Sequence, residues 1–129
     1  MTASLESPAE PGSDAAESLK ARLRADLKLA MRARAKLDVG VLRALIAALD
    51  NAQAVQIGKT HHRYVVHAFG DGCNEVPRLA LDTTAVDRLL EGEVESRLRA
   101  ADQFEQLGRL ERAAELRAEA ALAERYRSP

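Results

Sequence analysis

The side chains best suited to bind a metal or attack a substrate lie in the middle of the chain, between residues 58 and 81. They are His61, His62, His67 and Cys73, the three histidines and the single cysteine of the sequence. Imidazole and thiolate are the usual zinc ligands, and a thiol beside an imidazole can act as a nucleophile. Their spacing decides whether either chemistry is available.

The spacing favours neither chemistry. Structural zinc sites bring paired ligands about two to four residues apart from both ends of a loop, whereas His61 and His62 are adjacent. Cys73 and His67 stand in a stretch with three glycines, one proline and no helical period. We interpret this stretch as a flexible linker, in which the geometry of a catalytic pair could not be held. We expect no metal, no cofactor and no intrinsic catalysis.

A second set of side chains has the chemistry to bind phosphate. Cations recur every four positions, at Lys20, Arg24, Lys28, Arg32 and Lys36. Residues 18 to 59 contain nine Lys or Arg and three Asp, a local charge of +6 in a chain of net charge −1. Closely spaced cations release counterions from RNA, so this surface is a candidate phosphate contact. The alternative is a solvated face, or one paired with neighbouring acids, because no aromatic residues are interleaved to stack bases.

Helices are predicted to position these cations. Leu19, Leu23, Leu27 and Met31 recur at i+4 spacing, which predicts an amphipathic helix over about 18 to 35. The most apolar run of the chain follows at 39 to 57, with Asp38 at the N-cap position and Gly58 where a helix would stop. We expect Leu45 and Leu49 of this central helix to be buried.

Two further helices are predicted in the second half of the chain. Apolar stripes run over 84 to 107 and 110 to 126, after a capping sequence at Asp82 and on either side of Gly108, which suits a left-handed turn. Short connections join the members of each pair, so the predicted fold is all-α. It consists of two helical hairpins, about four helices in a small bundle, with an irregular linker.

Composition agrees with this organisation. Aromatic residues make up only 3% of the 129 residues, which is typical of packed helices rather than of a sandwich or barrel. Residues 1–17 are acidic and contain two prolines, so we expect a disordered tail before a helical domain at 18–126 with a flexible linker at 58–81. No apolar run could cross a membrane and no signal peptide is recognisable, which favours the cytoplasm.

Two stretches resemble the GatB/YqeY family, small helical proteins related to the tail of a subunit of a tRNA-dependent amidotransferase. One is LRALIAALDNAQ at 42 to 53, preceded by the basic helix LKARLRADLKLAMRAR. The other, from 93 to 126, is EVESRLRAADQFEQLGRLERAAELRAEAALAERY. The positions that match the family motifs are Leu42, Arg43, Ala48, Asn51, Ala52, Arg97, Phe104, Gly108, Arg109, Glu119 and Tyr126.

The resemblance implies a YqeY-like accessory module of tRNA-dependent amidation. It would contact tRNA or an amidotransferase subunit through the basic helix. Carbon–nitrogen ligase activity with glutamine as amide donor would then describe the family complex rather than a site in this chain. The alternative function is a non-catalytic protein–protein interaction module that does not bind nucleic acid.

Overall fold

The computed structural model describes residues 14–61 and 80–128, without the side chains of residues 55–61. Within these ranges the chain forms four helices and no strand. They are α1 (Ala15–Ala33), α2 (Lys36–His61), α3 (Thr83–Gln106) and α4 (Leu110–Glu124). The predicted all-α fold is confirmed. Residues 1–13 of the predicted tail and residues 62–79 of the predicted linker lie outside the described ranges.

Helix α1 begins three residues earlier than the predicted start at Ser18. Asp14 is its N-cap, and the Oδ1 atom of Asp14 accepts hydrogen bonds from the amides of Ala16 (3.0 Å) and Leu81 (3.2 Å). The amide of Ala15 also donates to the carbonyl of Leu81. Residues 14–17 therefore belong to the folded domain and not to the tail, because the Asp14 carboxylate joins the start of α1 to the segment before α3.

Both predicted ends of α2 are wrong. The turn after α1 is closed by Arg34 in the left-handed conformation (φ 56°), and α2 begins at Lys36, so Asp38 lies in the first helical turn rather than at the N-cap. A carboxylate there still interacts favourably with the helix dipole. Gly58 does not end α2, which continues to His61. A single glycine costs a helix only about 1 kcal/mol, which is not enough to stop a long helix.

The predicted ends of α3 are supported by hydrogen bonds. The side chain of Asp82 accepts from the amide of Ala85 at 2.8 Å, as expected for an N-cap. Gly108 has a φ of +80°, the predicted left-handed position. The amide of Arg109 then donates back to the carbonyl of Phe104 at 2.8 Å, which closes the turn into α4.

The buried residues form two apolar clusters. The larger joins all four helices and includes Leu45 and Leu49, both fully buried as predicted, together with Leu23 and Leu90. The smaller lies toward the turn of the second hairpin and comprises Ala101, Ala113 and Leu116, with Ala100 and Phe104 packed against it. The turn end of the α3–α4 hairpin is thus held mainly by contacts between its own two helices.

Candidate functional site: the basic face of helix α1

The predicted row of cations does not stay on one side of α1. Each step of four residues advances about 40° beyond a full turn, because an α-helix has about 3.6 residues per turn. From Lys20 to Arg32 the row therefore rotates by about 120°. The predicted apolar stripe rotates in the same way, so Leu23 is buried whereas Met31 is 49% exposed.

Lys20 lies at the buried end of this row, and its assignment to an RNA-binding face is wrong. Its side chain is 0% exposed. Its Nζ atom lies 2.7 Å from Asp50 Oδ1, 3.0 Å from Glu17 Oε2 and 2.9 Å from Gln53 Oε1. An ammonium group held by these three acceptors at the α1–α2 interface is not accessible to a phosphate.

Gln53 connects the buried lysine to the start of α1. Its side chain is 1% exposed, and its Nε2 atom donates to Glu17 Oε2 at 3.2 Å and to Asp14 Oδ2 at 3.4 Å. Sequence reasoning missed this polar cluster. A sign of it was present, since Lys20 follows Ala16 by four positions and precedes Leu23 by three, the spacing of a buried face.

The other three cations of the row on α1 form an exposed surface, which we call the basic face. It consists of Arg24, Lys28 and Arg32, and none of them forms an ion pair with any residue that the structure describes. Together with Ala21, Ala25 and Leu29 they line a shallow groove of about 620 Å³. Leu29 is 60% exposed, so the basic face also presents one large apolar side chain.

Lys36 is exposed but does not lie on α1. It is the first residue of α2, beyond the left-handed Arg34, so the regular four-residue step is interrupted before it. The structure therefore reduces the predicted five-residue row to three adjacent cations on one helix, with Lys36 on the next.

The one aspartate within the basic stretch of α1 bonds to a residue that follows α4. Asp26 is half-buried and accepts a hydrogen bond of 2.6 Å from the hydroxyl of Tyr126. Burial, and then the bond to Asp26, raises the pKa of Tyr126 from 10.0 to about 12. The guanidinium of Arg22 lies 5.0 Å from the centre of the Tyr126 ring, a cation–π contact. The carboxylate of Asp26 is thus engaged by Tyr126.

The second hairpin uses its arginines differently. Arg97 pairs with Glu93 at 2.8 Å and with Glu119 at 3.3 Å, so it links α3 to α4. Arg117 pairs with Asp102 and Glu105 across the same two helices. These two cations are neutralised within the hairpin, whereas those of the basic face have no acidic partner in the part of the chain that the structure describes.

The residues that match the family motifs fall into two groups. Eight belong to the folded framework: Leu42 and Tyr126 are buried, Ala48 and Ala52 are half-buried, Phe104 packs in the smaller cluster, Arg97 and Glu119 pair across the hairpin, and Gly108 forms the turn. Three are exposed, namely Arg43, Asn51 and Arg109. The structure does not bring these three together with the basic face into one pocket.

The stretch that contains the histidines and the cysteine falls mostly outside the ranges that the structure describes. His62, His67 and Cys73 lie outside the described ranges, as does the side chain of His61. Among the described residues, no group of three or more His, Cys, Asp or Glu side chains could hold a metal ion. None of the helices in these ranges combines the length and the apolar character needed to cross a bilayer.

Comparison with known proteins provides no further assignment. No protein-family model, no curated protein and no solved structure matches the chain.

Proposed function

We propose that this chain is a YqeY-like, non-catalytic binding module associated with tRNA-dependent amidation, and that its basic face contacts the phosphates of RNA. The observation that supports this proposal most directly is the set of three exposed cations, Arg24, Lys28 and Arg32, which have no ion-pair partner among the described residues. Successive members are four residues apart, or about 6 Å along the helix axis. Three such charges can track neighbouring phosphates of one strand.

The composition of the basic face indicates how it would bind. It contains no aromatic side chain on which a base could stack, and its short residues are alanines. Contacts of this kind fix position on the phosphate backbone and carry no sequence information. Selection of one RNA over another would then depend on other surfaces or on a partner such as an amidotransferase subunit.

The salt dependence of tRNA binding tests this proposal. For three phosphate contacts, the logarithm of affinity should fall with the logarithm of salt concentration with a slope of about −2 to −3. A variant with Arg24→Gln, Lys28→Gln and Arg32→Gln should lose most of this slope. The matched control replaces Arg88, Arg99 and Arg125 with Gln, because these exposed arginines of the second hairpin also lack an ion-pair partner among the described residues.

The control removes the same net charge, so it separates a local contact from a general charge effect. It should keep the slope of the parent protein. The proposal is wrong if the parent does not bind tRNA at low salt, or if both variants lose affinity equally.

One observation favours protein–protein interaction as a second candidate function. Leu29 projects from the groove between the cations and is 60% exposed. A phosphate backbone gains little from an apolar side chain, whereas a protein helix can bury it. Failure of the parent to bind RNA would leave this candidate in place.

A further inference from the structure

A strip of acidic residues runs along α3 and resembles the basic face with the opposite charge. Four acids and one leucine are spaced by four, four, three and four positions, so they follow one side of the helix. We call this surface the acidic rim: Asp87, Glu91, Glu95, Leu98 and Asp102. Glu91 and Glu95 are exposed and form no ion pair with a described residue. Leu98 is 42% exposed.

The acidic rim is only partly neutralised by α4 and the residues after it. Arg117 pairs with Asp102. Arg127 pairs with Glu124, and the fields of Glu91 and Asp87 help to raise its pKa. Four carboxylates thus face two guanidinium groups, each of which is also paired with another acid. Glu91 and Glu95 are carboxylates of the acidic rim that no described cation pairs with.

The two surfaces are complementary in charge and similar in form. On each surface, charges of one sign stand about one helical turn apart with one exposed leucine among them, and on α3 the exposed cations Arg88 and Arg99 lie beside the acidic rim. The same contrast extends over the described chain. Residues 14–54 carry eight cationic and five acidic side chains, whereas residues 80–128 carry eight cationic and eleven acidic ones.

We propose that the basic face of one copy of this chain docks on the acidic rim of a second copy. Arg24, Lys28 and Arg32 would lie opposite Glu91 and Glu95, and Leu29 would pack against Leu98. Exposed ion pairs are individually weak and are screened by salt, so the association is weak and sensitive to ionic strength. A two-fold arrangement would form this contact twice.

This inference does not rest on RNA binding, because self-association is measured with the protein alone. The two functions would compete, since both use the same three cations. Polyanion binding would then release the second copy.

The test uses the full chain in sedimentation velocity at rising protein concentration. At low salt the average mass should increase with concentration, and at high salt the protein should be monomeric. Two variants each reverse the charge on one side of the contact. The first carries Arg24→Glu, Lys28→Glu and Arg32→Glu, and the second carries Glu91→Lys and Glu95→Lys. Each variant alone presents two surfaces of like charge and should be monomeric.

Mixing the two variants in equal amounts should restore association, because each then offers the other a face of opposite charge. A charge effect unrelated to this contact would not be rescued by mixing. Circular dichroism of each variant shows whether its helices are intact; if one is unfolded, the concentration and salt series of the parent protein decides alone. The proposal is overturned if the parent is monomeric at every concentration at low salt, or if two folded variants remain monomeric when mixed.

Discussion

The two hairpins use their cations differently. Residues 14–54 and residues 80–128 each contain eight Lys or Arg. In the first hairpin, Lys20 is buried among acceptors on both helices, while Arg24, Lys28 and Arg32 have no acidic partner within residues 14–61 and 80–128. In the second, four of the eight arginines pair with acids near the surface: Arg97, Arg112, Arg117 and Arg127. The position of a charge around its helix therefore determines whether it stabilises the fold or remains available for binding.

The largest expected effect comes from the core that both hairpins share. Leu45→Ala should lower the free energy of unfolding by about 2 to 5 kcal/mol, because Leu45 is fully buried and its truncation leaves a cavity. Leu98→Ala is the control, since Leu98 is 42% exposed and its loss should cost only about 0.5 kcal/mol. Urea denaturation of both variants measures the difference. Equal midpoints would show that α2 is not the centre of the core.

The next largest change in stability is expected for the buried lysine of α1, compared with an exposed lysine of the same helix. Lys20→Met keeps the volume but removes the donor to Gln53 and leaves Glu17 and Asp50 close together without the cation. Hydrogen bonds to charged groups contribute about 1.5 to 3 kcal/mol, so a loss of that size is expected. Lys28→Met should change stability by less than about 0.5 kcal/mol.

Thermal and urea denaturation of the two methionine variants would be compared with the parent protein. A similar small change in both would mean that the buried cluster contributes little to stability. In that case the buried Lys20 would stabilise the fold no more than the exposed Lys28 does.

The smallest effect concerns the contact between Tyr126 of the second hairpin and Asp26 of the first. Asp26→Asn should lower the pKa of Tyr126 from about 12 but not fully to 10.0, because burial remains its largest cause. Ultraviolet titration in a Tyr64→Phe background reports Tyr126 alone. An unchanged pKa of Tyr126 would show that the hydrogen bond to Asp26 does not stabilise the neutral phenol.

The same pKa predicts a loss of stability at alkaline pH. Folding raises the pKa of Tyr126, so the neutral phenol is favoured in the folded state. Its contribution to stability is complete below pH 10.0 and is lost as the pH rises through about 12. A Tyr126→Phe variant should therefore show a smaller decline over this range than the parent protein.

Much of the fold could be predicted from local patterns. The number and class of the helices, the cap at Asp82, the turn at Gly108 and the burial of Leu45 and Leu49 all agree with the structure. Each depends on hydrophobic periodicity or on the conformational preference of one residue type, and both are readable within a short stretch of chain. The start of α1 and both ends of α2 were less accurate: a contact to Leu81 fixes the start of α1, and a single glycine is too weak a signal to end α2.

The candidate site could be predicted only in part. A row of five cations was visible in the sequence, and three of them form the basic face, whereas Lys20 is buried and Lys36 lies on the next helix. The sequence shows a recurring charge but not the direction in which α1 is turned toward α2 and α4. Only the tertiary structure decides this, because Asp50 and Gln53 come from a different helix and Tyr126 lies 100 residues from Asp26. The sequence by itself determined where helices form, since that depends on neighbours along the chain. The tertiary structure decided which cations remain exposed, since that depends on which carboxylates are brought within about 3 Å of them.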